Sequence, residues 1–117
     1  EFLGFVRDVA ALYREHDVFI HFSDLDAFPY VVLEAQASAL PVIVNRDCGM
    51  LEQVEHERTG LIVDLHDRPA VQTHLQTLSA SPDARASLGH TAREFVAATY
   101  SLPAIGRGLL NALERAR

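Results

Sequence analysis

Two acidic residues stand eight positions apart in the stretch SDLDAFPYVVLEAQASALPVIV. Asp26 lies in its polar first part, and Glu34 follows three apolar residues and precedes Ala35, Ala37 and Ala39. This pattern predicts a helix packed on more than one side, where an unpaired carboxylate would cost free energy. We therefore expect Glu34 to have a specific partner, which could be a neighbouring arginine, a backbone donor or a ligand.

The elements that would carry these acids alternate between strand and helix. Short β-rich runs predict buried strands at residues 2–6, 17–23, 41–45 and 60–64, and apolar residues at helical spacing lie between them. Such alternation predicts an α/β fold, a Rossmann-like parallel sheet of about four strands with helices on both faces. A helical C-terminal tail should follow, with three helices that begin near Pro69, Pro82 and Pro103.

Ligands of open parallel sheets bind beyond the carboxyl ends of the strands. The corresponding loops are residues 23–29 and 45–49, and each leads into a helix whose first N–H groups favour a phosphate. Structural roles remain open for the polar residues there. Asp26 could cap a helix, Gly49 could relax a turn, and Glu52 could be an acid favoured by the helix dipole. Cys48 could be a nucleophile or a small filler at a helix start.

The composition of the 117 residues excludes several classes of protein. About half of the residues are apolar (49%), which suits one globular domain, and the charge of −6 without a single lysine argues against nucleic acid as a partner. The single cysteine excludes an internal disulfide, and the six histidines lack metal-ligand spacing, so we expect no metal. Because no apolar run approaches the roughly 20 residues of a membrane span, we expect a cytoplasmic protein.

The series FLGFV, DVFIHFSDLDAFPYVVLEAQASALPVIV and CGMLEQVEHERTGLIVD resembles the carboxyl-terminal domain of the GT-B-fold retaining glycosyltransferases called group 1, or family 4. The resemblance runs from residue 2 to 64 and continues more loosely through the later helices. Its most specific part is a pair of acids separated by seven residues, the second followed by alanine and later by a Pro-Val pair; here these are Asp26, Glu34, Ala35, Pro41 and Val42. Residues 1–117 would then be one domain, a fragment of the nucleotide-sugar-binding half.

This resemblance implies a role for each matching residue. Asp26 would be the first acid of the motif, a catalytic residue that contacts the donor sugar near the reacting centre, and Glu34 would accept hydrogen bonds from the ribose hydroxyls. The remaining donor-binding positions lie in the two loops or directly after the second one, and they are Ala27, Phe28, Gly49, Met50, Leu51 and Glu52. The resemblance implies no metal and no cofactor, since the nucleotide sugar is a substrate.

The resemblance also implies limits. The family holds the diphosphate with an Arg and a Lys upstream of FLGFV and binds the acceptor in an N-terminal domain, so we expect this chain alone to be inactive. An uncovered apolar sheet edge could lead to self-association. An alternative is a degenerate GT-B-like domain that serves as a non-catalytic binding or interaction module, because Asp26 stands where the family has Glu and Cys48 replaces a Gly. A GT-B epimerase or a plain nucleotide-binding domain is a third hypothesis.

Overall fold

The computed structural model describes residues 1–47 and 49–116, so the two hypotheses about Cys48 fall on a residue outside the described part. Within these residues the chain forms three strands and six helices. In chain order they are α1 (Val9–Glu15), β1 (Phe19–His21), α2 (Tyr30–Ala37), β2 (Val42–Asn45), α3 (Met50–Gln53), β3 (Leu61–Val63), α4 (Arg68–Ala80), α5 (Pro82–Thr99) and α6 (Leu102–Arg115).

The strands form a parallel sheet in the order β1-β2-β3. Phe19 lies opposite Val42, and Ile43 lies opposite Leu61. The central strand β2 is buried at all four positions, as expected for a parallel strand covered on both faces. The predicted α/β class, with a parallel sheet and a helical C-terminal tail, is confirmed.

Two hydrophobic clusters cover opposite faces of this sheet, because successive side chains of a strand point in opposite directions. Val42 and Val44 belong to one cluster, which includes Tyr13 of α1 and Val32 of α2. Ile43 belongs to the other, whose buried members also include Leu61, Val63 and Leu78. The sheet is therefore the middle layer of the fold.

The predicted first strand, residues 2–6, is wrong. The segment belongs to no strand, and Phe2, Leu3 and Phe5 are exposed. A strand forms only where its backbone N–H and C=O groups meet a neighbouring strand, and the positive φ of Gly4 (+64°) interrupts an extended path. The described sheet thus has three of the expected four or so strands.

The last three helices begin where the sequence predicts. Asp67, Ser81 and Ser101 accept hydrogen bonds from backbone N–H groups three residues onward, and each helix has a proline in its first turn. None of the helices in the described residues combines the length and the apolar character needed to cross a membrane.

Helix α5 lies closely against the end of α2. The chain leaves α2 through Ala39, whose φ of +58° is left-handed. A Cβ added to Gly89 of α5 would lie 2.0 Å from the carbonyl oxygen of Ala39, well inside van der Waals contact. The absence of a side chain at residue 89 therefore sets the distance between these two helices.

We expect Gly89→Ala to destabilise the chain by about 1–3 kcal/mol, because the added methyl group must push α5 away from Ala39. Gly108→Ala in α6 is the matched control. An added Cβ there meets no atom within 4 Å, and alanine favours a helix by roughly 0.5–1 kcal/mol. Urea unfolding of both variants checks this, and equal stabilities for the two would contradict the close helix contact.

Candidate functional site

Two loops meet at the carboxyl edge of the sheet, and we call residues 22–29, after β1, the first loop and residues 46–49, after β2, the second loop. Asn45, the buried last residue of β2, holds the start of the first loop with its side-chain amide. Its Oδ1 accepts a hydrogen bond from the Ser23 N–H at 2.9 Å, and its Nδ2 donates to the Ser23 carbonyl at 2.9 Å. This two-point contact fixes the direction in which the first loop leaves the sheet.

The two loops touch through their backbones at Gly49. A Cβ on Gly49 would lie 1.7 Å from the Ala27 carbonyl oxygen and 2.8 Å from the Phe28 Cα. The φ of Gly49 is −65°, which any residue adopts, so the alternative that this glycine only relaxes a turn is wrong. Glycine is needed because the first loop occupies the space of a side chain.

A buried amide network joins the first loop to α3, the helix that follows the second loop. Gln53, fully buried in α3, donates from Nε2 to the Pro29 carbonyl at 3.1 Å. Gln36 of α2 is also fully buried and donates to the carbonyls of Gln53 and Thr59, at 3.2 and 3.1 Å. A buried amide that loses one of these hydrogen bonds cannot replace it with a bond to water. The bonds therefore restrict how far the helices α2 and α3 can move apart.

Tyr100, the residue that follows α5, contacts both the first loop and α3 from outside. Its hydroxyl donates to the Glu52 carbonyl at 2.8 Å, and its ring lies edge-on to Phe28, with centroids 5.8 Å apart. Burial, and then the charge of Glu52, raise the pKa of Tyr100. The hydroxyl therefore stays a hydrogen-bond donor at neutral pH.

Asp26 lies in the first loop with a partly exposed side chain. Its Oδ1 accepts a hydrogen bond from the Phe28 N–H at 3.3 Å, and its Oδ2 lies 3.5 Å from Nε2 of His21. The alternative that Asp26 caps a helix is wrong, because the N-cap of α2 is Pro29 and no side chain caps it. Helix α2 thus begins at the site with its first N–H groups free of a side-chain acceptor.

The expectation that Glu34 is buried is wrong. Helix α2 buries Val32, Ala35 and Gln36, and Glu34 lies on its exposed side. Positions three and four apart share a helix face, whereas apolar neighbours along the chain do not. Among the described residues the partner of Glu34 is neither an arginine nor a backbone donor: the Tyr13 hydroxyl of α1 donates to its Oε2 at 3.1 Å.

The other predicted site residues differ in how much of each side chain is exposed. Met50 is fully buried in the core, and its N–H donates to the Asp47 carbonyl at 3.2 Å. Leu51 and Glu52 have exposed side chains beside the second loop. The Phe28 N–H is occupied by Asp26, as described above, and the Ala27 carbonyl contacts Gly49.

The supporting residues were missed by sequence reasoning, and two of them carry a recognisable pattern. Asn45 ends an apolar strand and Gln36 interrupts an apolar helix face, where a polar group needs a partner. Tyr13 and Tyr100 carry no such pattern, since their partners lie 21 and 48 residues away in sequence.

A parallel sheet with helices on both faces and two loops that meet at its carboxyl edge is the arrangement in which open α/β sheets bind their ligands. Residues 1–95 match the family described as "Glycosyl transferases group 1". The chain therefore belongs to the group 1 glycosyltransferase family, as the resemblance indicated.

Individual relatives agree with this assignment. D-inositol 3-phosphate glycosyltransferase from Corynebacterium kroppenstedtii is 33% identical over 110 residues, which cover 94% of this chain and 24% of the relative. Among solved structures, Anabaena HepE in complex with UDP superposes with a TM-score of 0.86 at 22% identity, over 98% of this chain and 32% of that one. Sucrose-phosphate synthase from Thermosynechococcus elongatus superposes with a TM-score of 0.77 at 31% identity, over 92% and 28%. The chain thus spans about a quarter of the length of the Corynebacterium kroppenstedtii relative. Its fold is that of GT-B glycosyltransferases.

We expect Gln53→Met to lower the free energy of unfolding by about 0.5–1.5 kcal/mol, the net value of one hydrogen bond, because the Pro29 carbonyl loses the Gln53 donor and keeps the Val32 N–H, while the side-chain volume changes little. The matched control is Gln76→Met on the exposed side of α4, which should change stability by less than about 0.5 kcal/mol. Urea unfolding measures both. A Gln53 variant as stable as the control would contradict the role of this bond.

We expect the stability of the chain to fall between about pH 10 and 12. Burial, the hydrogen bond to Glu34 and the charge of Glu34 raise the pKa of Tyr13 to about 12 from its ordinary value of 10.0. The unfolded chain therefore releases this proton first, so the contribution is complete below pH 10 and is lost as the pH rises through 12. Unfolding across this range, compared with Tyr13→Phe, checks the sign: the variant should show a shallower decline.

Proposed function

We propose that this chain is the donor-binding part of a retaining glycosyltransferase of family 4 type, which transfers a sugar from a nucleoside-diphosphate sugar to an acceptor. The observation that carries the proposal is the backbone contact at Gly49, which brings both loops together beside the uncapped start of α2. HepE, the structural neighbour, has been solved with UDP and with UDP-glucose, which supports a nucleotide sugar as the ligand here.

The proposed chemistry follows from where charge develops. The diphosphate leaving group gains negative charge as the glycosidic bond breaks, and N–H groups at the start of α2 stabilise that charge without reorganising. The sugar becomes positively charged, and the carboxylate of Asp26 stabilises it from the first loop. The proposal uses no metal in either step.

Glu34 would bind the ribose through its exposed carboxylate. The Tyr13 hydroxyl bonds Oε2, so the side chain is oriented before the nucleotide arrives while its remaining acceptor positions stay open. Each ribose hydroxyl can donate to such a position, and the bond is stronger because the acceptor is charged. A preoriented acid loses less conformational entropy on binding.

The protein that contains this chain is the right subject for the test, since an acceptor would be bound by residues outside it. We further propose that residues 1–117 alone do not transfer sugar. The alternative of a non-catalytic module predicts that the full-length protein binds no nucleotide sugar or binds without turnover.

Isothermal titration of the full-length protein with UDP-, GDP- and ADP-glucose tests the proposal and identifies the base. One nucleotide should bind, and Glu34→Ala should weaken its binding about 10- to 100-fold, the value of a hydrogen bond to a charged group. Glu94→Ala, an exposed acid on α5, is the control and should leave the affinity unchanged. Absence of binding to the full-length protein, or equal effects of the two variants, would contradict the proposal.

A further inference from the structure

His21 is the last residue of β1 and directly precedes the first loop. Its ring lies parallel to that of Phe19, with an interplanar angle of 3° and centroids 6.4 Å apart, because residues two apart in a strand share a face. Its Nε2 is buried and has no hydrogen-bond partner among the described residues. A buried polar atom without a partner is costly, which suggests that this nitrogen has a role in the completed site.

The carboxylate of Asp26 is the acid that faces this nitrogen. Asp26 Oδ2 lies 3.5 Å from His21 Nε2, slightly beyond an ordinary hydrogen bond, while Oδ1 accepts from the Phe28 N–H. Closing this gap by a few tenths of an ångström would add a hydrogen bond at Oδ2 to the one at Oδ1. The carboxylate would then be held at both oxygens.

We propose that His21 is a positioning residue, whose Nε2–H donates to Asp26 Oδ2 and sets the direction in which the carboxylate faces the donor sugar. The part that concerns the sugar rests on the proposed function. Each carboxylate oxygen accepts more than one hydrogen bond, so an Asp26 held in this way still has positions for the substrate. An oriented carboxylate matters because stabilisation of developing charge depends on groups fixed before the reaction.

The pairing of His21 with Asp26 can be tested without measuring sugar transfer. In full-length protein labelled with ¹⁵N-histidine, the signal of His21 is identified by its loss in His21→Gln. We expect its Nε2 to carry a proton and to shift in Asp26→Ala, while other histidine signals stay unchanged. A His21 signal that is indifferent to Asp26→Ala overturns the proposal.

Kinetics then separate positioning from a purely structural role. We expect His21→Leu to lower kcat at least 10-fold with less than a twofold change in the affinity for the free nucleoside diphosphate. His21→Gln keeps an N–H donor and should recover most of kcat. In the Asp26→Ala background, His21→Leu should have no further effect. The control is His90→Leu, an exposed histidine on α5.

The melting temperature of each variant is measured alongside its kinetics, so that a loss of stability can be recognised. Equal losses in His21→Leu and His21→Gln, or a further loss in the Asp26→Ala background, would assign His21 to folding alone and overturn the proposal. A wild-type protein without turnover on any nucleotide sugar would instead contradict the proposed function, and the ¹⁵N spectra would still decide whether the pair exists.

Discussion

The site depends on one close approach, that of Gly49 to the Ala27 carbonyl oxygen. Parallel strands end side by side, but nothing in sheet geometry requires the loops that follow them to touch. Here the distance at which they touch leaves no room even for a methyl group. The first loop therefore takes its position from the second, and Asp26 stands where it does because residue 49 lacks a side chain.

The polar groups around this contact keep it rigid. Asn45 holds the beginning of the first loop and Gln53 holds its end, both through side-chain amides that reach backbone atoms. An amide can satisfy a backbone group that has no partner in a regular ladder, as happens wherever a chain leaves a sheet. The fold thus uses neutral, buried side chains for support and leaves the carboxylates of Asp26 and Glu34 to face the surface.

Sequence reasoning predicted the fold best where one physical property dominates. The apolar run VIVN is a strand because it is covered on both faces, and the last three helices begin at capping residues followed by prolines. The run FLGFV has the same composition as a strand but does not form one, since pairing depends on a neighbour that composition does not specify. Glu34 was placed inside because its neighbours along the chain are apolar, whereas burial follows the helix face, and the buried polar residue is Gln36. The two loops could be predicted from the ends of the strands, but the side chains that support them come from distant segments that no local pattern connects.

The contact between Tyr100 and Glu52 bears on where this domain should be considered to end. The family match stops at residue 95, yet the hydroxyl that bonds the carbonyl of Glu52 and the ring that packs on Phe28 belong to a residue five positions later. A boundary drawn at the end of the match would retain every loop residue and remove the aromatic ring that lies against them. If this domain were exchanged between proteins, the segment that preserves the geometry of the loops would extend at least to Tyr100, the residue that follows α5.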